Sequence, residues 1–169
     1  MHKTGRSVLK FFFGVVVCAS ALVSAEPVIH EESGIEIQFP EGWDYLVQGS
    51  SLASTSPDQS VHLLVLLSEQ QVVEYFTDAI AQEVSQIIEL PEVLVEQGLI
   101  EVNELLQFRA EGAGLYQGEI VDWSMAFVAG ARKSVIVLAF GQLEEERPVV
   151  EEVFDMIVMT EPQPEETVD

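Results

Sequence analysis

The chain has 169 residues, of which 29 are acidic and seven basic, for a formal charge of −22 at neutral pH. A charge of this sign repels phosphate backbones and anionic lipid headgroups, so it argues against nucleic-acid binding and favours cations or basic protein patches as company. The one cysteine, Cys18, lies in an N-terminal apolar run. The remainder of the chain therefore has no disulfide framework, thiol nucleophile, cysteine zinc site or iron–sulfur cluster.

The chain opens with Lys3, Arg6 and Lys10, runs through apolar residues from Phe11 to Val23, and ends that run at Val23-Ser24-Ala25. A basic start, a short apolar middle and small residues at the −3 and −1 positions predict a secretory signal peptide over 1–25, cleaved after Ala25. An uncleaved anchor is the alternative, although the run is short for a membrane span. Val17 precedes Cys18 where lipoprotein signals carry a small residue, so Cys18 reads as a passenger. Cleavage leaves 144 residues with four basic against 29 acidic side chains, a charge of −25. The expected product is periplasmic or secreted, without a membrane span.

A single domain is expected over residues 26–160. Val28 to His30 reads as a short lead-in strand. Ile35 to Phe39 alternates, with Ile35, Ile37 and Phe39 inward. Pro40-Glu41-Gly42 is a predicted turn with the proline at its second position. Strands follow at Trp43 to Val47, Leu52 to Thr55 and Val61 to Leu67. Ser68 to Gln71 has capping-box spacing, and Val72, Phe76, Ala79, Ile80, Val84 and Ile87 recur at threes and fours. This predicts an amphipathic helix ending before Pro91.

Val93 to Val95 reads as a short strand, and Leu99 to Val102 and Leu105 to Glu111 as a hairpin turning at Asn103-Glu104. Gly112-Ala113-Gly114 and Gly118 are read as bracketing a further turn. From Glu119 to Gly141 comes the predicted centre of the fold. Val121, Trp123, Met125 and Phe127 share one side, Asp122 and Ser124 the other, and Val135 to Phe140 is apolar throughout. That is a β-hairpin with a loop at Gly130 to Lys133, its second arm deep in a sheet. A last helix begins near Glu144-Glu145-Glu146, with Pro148 in its first turn and an apolar stripe of Val149, Val150, Val153, Phe154 and Ile157. The tail over 161–169 is rich in proline and glutamate, a composition that predicts disorder. Strands joined by hairpins and two one-sided helices give an α+β class: a largely antiparallel sheet flanked by helices.

The run G-I-E-I-Q-F-P-E-G-W, Gly34 to Trp43, with the turn at Asn103, the bend at Glu111 to Gly114 and the closing helix, resembles the PsbP-type fold. That fold is shared by the extrinsic PsbP protein of photosystem II, the Ran-binding Mog protein and DcrB-like bacterial envelope proteins. The resemblance covers residues 33–160 as an order of elements and implies an α/β/α sandwich. It carries no catalytic residue across, because the fold's members look like binding and assembly modules. Relatives often place glycine after the turn asparagine, where this chain has Glu104, a departure that bears on the turn type.

Sites of other classes find little support. His30 and His62, the histidines after the leader, lack zinc-ligand spacing. The acids form no EF-hand loop. Gly49-Ser50-Ser51 is not a nucleophile elbow, and the glycines from Gly112 to Gly118 do not have dinucleotide-loop spacing. No cofactor and no metal are expected. The reading is an exported, non-enzymatic binding or assembly module of the bacterial envelope. The alternatives are a small envelope hydrolase using a carboxylate pair, and a carrier of a lipid or other apolar ligand. The expected partner is an envelope protein or an apolar small ligand. Candidate contact residues are Arg132 and Lys133, paired on the hairpin tip, and the large aromatic Trp43.

Overall fold

The computed structural model describes residues 26–68 and 77–160. The expected leader, the acidic tail and the expected start of the first helix at 69–76 lie outside that range. The described residues form ten strands and two helices in the order β1 (Val28–His30), β2 (Ile35–Ile37), β3 (Asp44–Gln48), β4 (Ser51–Thr55), β5 (Val61–Ser68), α1 (Thr77–Val84), β6 (Glu89–Val102), β7 (Leu105–Tyr116), β8 (Glu119–Ala129), β9 (Ser134–Gly141), α2 (Leu143–Asp155) and β10 (Val158–Met159). Seven strands make one sheet in the order β3-β4-β5-β9-β8-β7-β6, and β1-β2-β10 make a small second sheet. Every pairing is antiparallel.

The β8–β9 hairpin lies at the centre, as its apolar arms predict. Trp123, Met125 and Phe127 alternate onto one face with Ile136, Leu138 and Phe140, and α1 covers them with Ile80 and Val84. Ala126, Val128, Val135, Val137 and Ala139 form the opposite face. There α2 lays down Leu143, Val150, Val153 and Phe154, and the small sheet adds Ile35 and Ile37. A helix on each face is the expected α/β/α arrangement. Both faces are dry at the hairpin, so Ser124, expected on an open side, is buried while Asp122 nearer the strand start is exposed.

Several local expectations fail for identifiable reasons. Ser68 closes β5 opposite Ser134, and the helix start expected to follow it lies outside the described residues. Helix α1 ends at Val84, well short of Pro91, because the chain turns to drive Ile88 into the core and then enters β6. Pro91 and the Val93–Val95 and Leu99–Val102 segments belong to this one long edge strand, which absorbs the proline at a register shift between Glu89 and Glu92. Gly112 and Gly114 are not a turn. They sit within β7 because a Cβ at Gly112 would lie 1.9 Å from the Glu92 carbonyl oxygen and 2.4 Å from the Trp123 ring. At Gly114 it would lie 2.3 Å from Ile88. The turn falls at Gln117-Gly118.

Pro148 is the sixth residue of α2, not part of its first turn, because the helix starts at the buried Leu143, with Gln142 as its N-cap. The Glu144 carbonyl consequently lacks a helical donor from Pro148. The turn at Asn103-Glu104 keeps a tight geometry despite lacking glycine, with φ of +51° and +63° at its two residues. Glu104 therefore occupies the left-handed region. Asn103 anchors the turn by donating through Nδ2 to the carbonyls of Asp155 (2.7 Å) and Ile157 (3.1 Å) beyond α2.

Candidate functional site

The segment Phe39 to Trp43 builds one wall of an open cleft. Its turn is closed by the Trp43 N–H donating to the Pro40 carbonyl at 3.2 Å. Pro40 thus stands at the first position of the turn, not the second, and Gly42 at the third adopts φ of +83°, which L side chains resist. The opposite wall is the outer flank of α2. Phe39, Trp43, Val149, Val153 and Met156 supply the apolar surface of this cleft of about 550 Å³. Glu41, Glu146 and Glu152 add carboxylates, and no basic residue lines it. Val149, Val153 and Met156 recur at four and then three residues, one stripe of the helix, so α2 covers the core with one flank and lines the cleft with the adjoining one.

Trp43, expected as a contact residue, is only 4% exposed and belongs to the core cluster. It reaches the cleft as a wall, and its bulk holds the turn against α2. The contribution of α2 itself was not singled out from the sequence. The signal was present in the width of the helix's apolar stripe, which includes the half-buried Val149.

Arg132 and Lys133 do not join this cleft. They sit on the β8–β9 loop and reach the β1–β2 turn, where Arg132 donates to the Glu31 carbonyl at 2.8 Å and Lys133 pairs with Glu32 at 2.9 Å. The other two cations among the described residues also pair with neighbouring elements. Arg147 pairs with Glu111, joining α2 to β7. Arg109, nearly buried, donates to Gln107 Oε1 through Nε (3.1 Å) and Nη2 (2.9 Å), and to Asp155 at 2.7 Å. Its guanidinium also lies 5.5 Å from the Phe154 ring centroid. All four positive charges thus fasten one element to another.

The histidines have structural surroundings. His30 is buried, with Nδ1 2.7 Å from Ser33 Oγ and Nε2 2.7 Å from the Ser50 carbonyl. His62 packs against Phe140 and Tyr116, and burial holds its pKa below the usual value. Asp58 accepts from Ser56 Oγ and from the N–H and Oγ of Ser60, which lowers its pKa to about 2. Among the described residues no group of three or more histidine, cysteine or acidic side chains is placed to hold a metal ion. No helix among them is long and apolar enough to cross a membrane.

This architecture is similar to the solution structure of cyanobacterial PsbP from Synechocystis sp. PCC 6803, at a TM-score of 0.54 and 14% identity, covering 86% of this chain and 99% of that one. The chain has a PsbP-like fold. Weaker similarities link this PsbP-like chain to LpqN of Mycobacterium tuberculosis, a protein involved in cell envelope biogenesis (TM-score 0.44, 13% identity, 80% of this chain and 90% of that one). A Pseudomonas aeruginosa protein of unknown function, a putative regulator, stands at a TM-score of 0.45 and 13% identity, with 81% and 95% covered. No family model and no curated protein sequence matches the chain.

Proposed function

We propose that the protein is an exported, non-enzymatic binding or assembly module of the bacterial envelope, and that its cleft receives an apolar side chain flanked by basic residues on a partner protein. The observation that carries this reading is the composition of the cleft: an apolar surface from Phe39, Trp43, Val149, Val153 and Met156 beside Glu41, Glu146 and Glu152, with no cation. Apolar surface offers burial to an incoming side chain, and the carboxylates select the charge beside it. The export signal over 1–25 supports the compartment, and purified protein beginning at Glu26 by mass would test it.

The partner site is tested by photo-crosslinking in the producing cells. A photoreactive phenylalanine replaces Val149 in the cleft or, as a control, Ile120, which is 82% exposed at the start of β8. The expected result is a discrete adduct from position 149 alone, mapping to a basic and apolar segment, and lost when Glu146 and Glu152 are changed to lysine. Equal adducts from both positions, or an adduct indifferent to the two charge reversals, would refute the cleft as the contact.

A further inference from the structure

The two edges of the large sheet are β3 and β6, and they are built differently. Strand β6 is interrupted by three register shifts, by Pro91 and by Leu90 at φ of +51°, and it carries Glu89, Glu92, Glu96 and Glu101. Irregularity, proline and charge are the usual means of preventing an edge from accepting another strand. Strand β3 has none of the irregularities. Its five residues pair with β4 in unbroken register from Asp44↔Thr55 to Gln48↔Ser51, and all five are exposed. Tyr45, Leu46 and Val47 are 43%, 61% and 56% exposed. Residues 11–108 contain no lysine or arginine, so this edge also lacks a cationic guard.

The pairing determines which backbone groups face outward. Gln48 and Ser51 flank a two-residue loop and form a hydrogen-bonded pair, and such pairs alternate along an antiparallel ladder. The pairs Leu46↔Ala53 and Asp44↔Thr55 are therefore hydrogen-bonded too. The N–H and C=O groups of Tyr45 and Val47 point away from the sheet. The cleft adjoins this edge, because β3 follows Trp43 directly and the Tyr45 ring stacks on cleft residue Phe39 at 5.6 Å.

We infer that β3 is a strand-acceptor edge: an extended segment of a partner protein, alternating apolar and basic residues, adds to it as an eighth strand. The apolar residues continue the exposed row of Tyr45 and Val47 toward the cleft, and main-chain bonds to these two residues fix the segment. Charge complementarity selects the occupant. The edge carries Asp44 next to Glu41, and each chain after leader removal bears −25, which opposes edge-to-edge pairing of two copies. The inference rests on the binding-module reading and specifies how the partner is held.

The test uses the exported chain and end-blocked octapeptides alternating lysine and valine, against the glutamate-for-lysine analogue and a fully N-methylated form. Binding is read by fluorescence anisotropy and by amide exchange. The lysine peptide is expected to bind at least about tenfold more tightly than either analogue, and to protect the Tyr45 and Val47 amides. Val47→Pro removes an outward donor at a position where an edge tolerates proline, and roughly tenfold weaker binding is expected with thermal stability retained. Binding of the N-methylated peptide as tight as that of the parent peptide, protection confined to β6, or unchanged affinity in Val47→Pro overturns the proposal. If Val47→Pro lowers thermal stability, the N-methylated peptide decides alone. Dimerisation of the chain that Val47→Pro abolishes would overturn it by assigning the edge to a second copy. A cleft adduct that persists in Val47→Pro while the lysine peptide fails to bind the parent chain refutes strand addition and leaves the cleft reading standing.

Discussion

Gly112→Ala is the sharpest test of how the sheet is packed. Gly112 pairs with Val93 on one side and Trp123 on the other, and the Trp123 indole lies across the space a side chain would occupy. The new methyl would meet the Glu92 carbonyl oxygen at 1.9 Å and Trp123 ring atoms at 2.4 and 2.6 Å. Neither obstacle is the free end of a flexible chain. Trp123 is fully buried, and its Nε1–H donates to the Ala113 carbonyl at 3.1 Å. Overpacking of a dense core costs about 1–3 kcal/mol, and loss of the indole hydrogen bond adds about 1 kcal/mol. A total near 3 kcal/mol corresponds to a fall of about 10–15 °C in Tm for a domain of this size. The comparison is Gly118→Ala, where φ is +87° and nothing stands within 4 Å of the added methyl. That change costs only backbone strain, about 1 kcal/mol, or about 4 °C. Thermal unfolding followed by far-ultraviolet circular dichroism, with fluorescence of Trp43 and Trp123 as a second signal, measures both. A Gly112→Ala protein within about 3 °C of the parent, or one more stable than Gly118→Ala, refutes the close-approach account.

Further outcomes follow from the polar contacts and the turns. Arg109→Met strips both guanidinium donors from the fully buried Gln107 Oε1 and should cost about 2–3 kcal/mol in urea unfolding, whereas Asp155→Asn, at a carboxylate 60% exposed, should cost under about 1 kcal/mol. Glu104→Gly relieves a left-handed glutamate and should stabilise the protein by about 0.5–1 kcal/mol; a loss of stability would count against strain at that turn. Burial lowers the His62 pKa from its usual 6.5, so in the window below that value the unfolded chain binds more protons than the folded one. Stability from this group is present at neutral pH and falls as pH drops through the folded pKa. His62→Gln should lose less stability than the parent between about pH 8 and about pH 5, and equal losses would contradict the assignment.

The sequence exposes those parts of the fold that repeat locally. The alternation from Val121 to Phe127 and the unbroken apolar run after Ser134 mark two adjacent central strands without help from the rest of the chain. The stripe of α2 is legible for the same reason. Glycine and proline mislead because each has two uses. Gly112 can mark a bend or a place where a large ring presses on the backbone, and only the partner strand carrying Trp123 decides between them. Pro91 likewise ends a helix or sits at an irregular edge, and the irregularity lies in the pairing with β7. Half of the cleft is readable, since the Phe39 to Trp43 turn has local cues. Its other half arrives about a hundred residues later, and no spacing rule links Trp43 to Val149. The pairing of the cations is hidden similarly: Lys133 meets Glu32 across 101 positions.

Those four paired cations have a consequence for behaviour in solution. With each described arginine and lysine held between elements and acids far outnumbering bases, the surface carries a large excess of negative charge, and its counterion cloud becomes part of its working state. Molecules of like sign keep one another at arm's length, within a screening distance of about 8 Å at physiological ionic strength. A ligand of opposite sign is drawn in from farther away as salt is diluted. Its arrival rate should therefore rise steeply in dilute medium, while its departure, set by contacts already made, changes little.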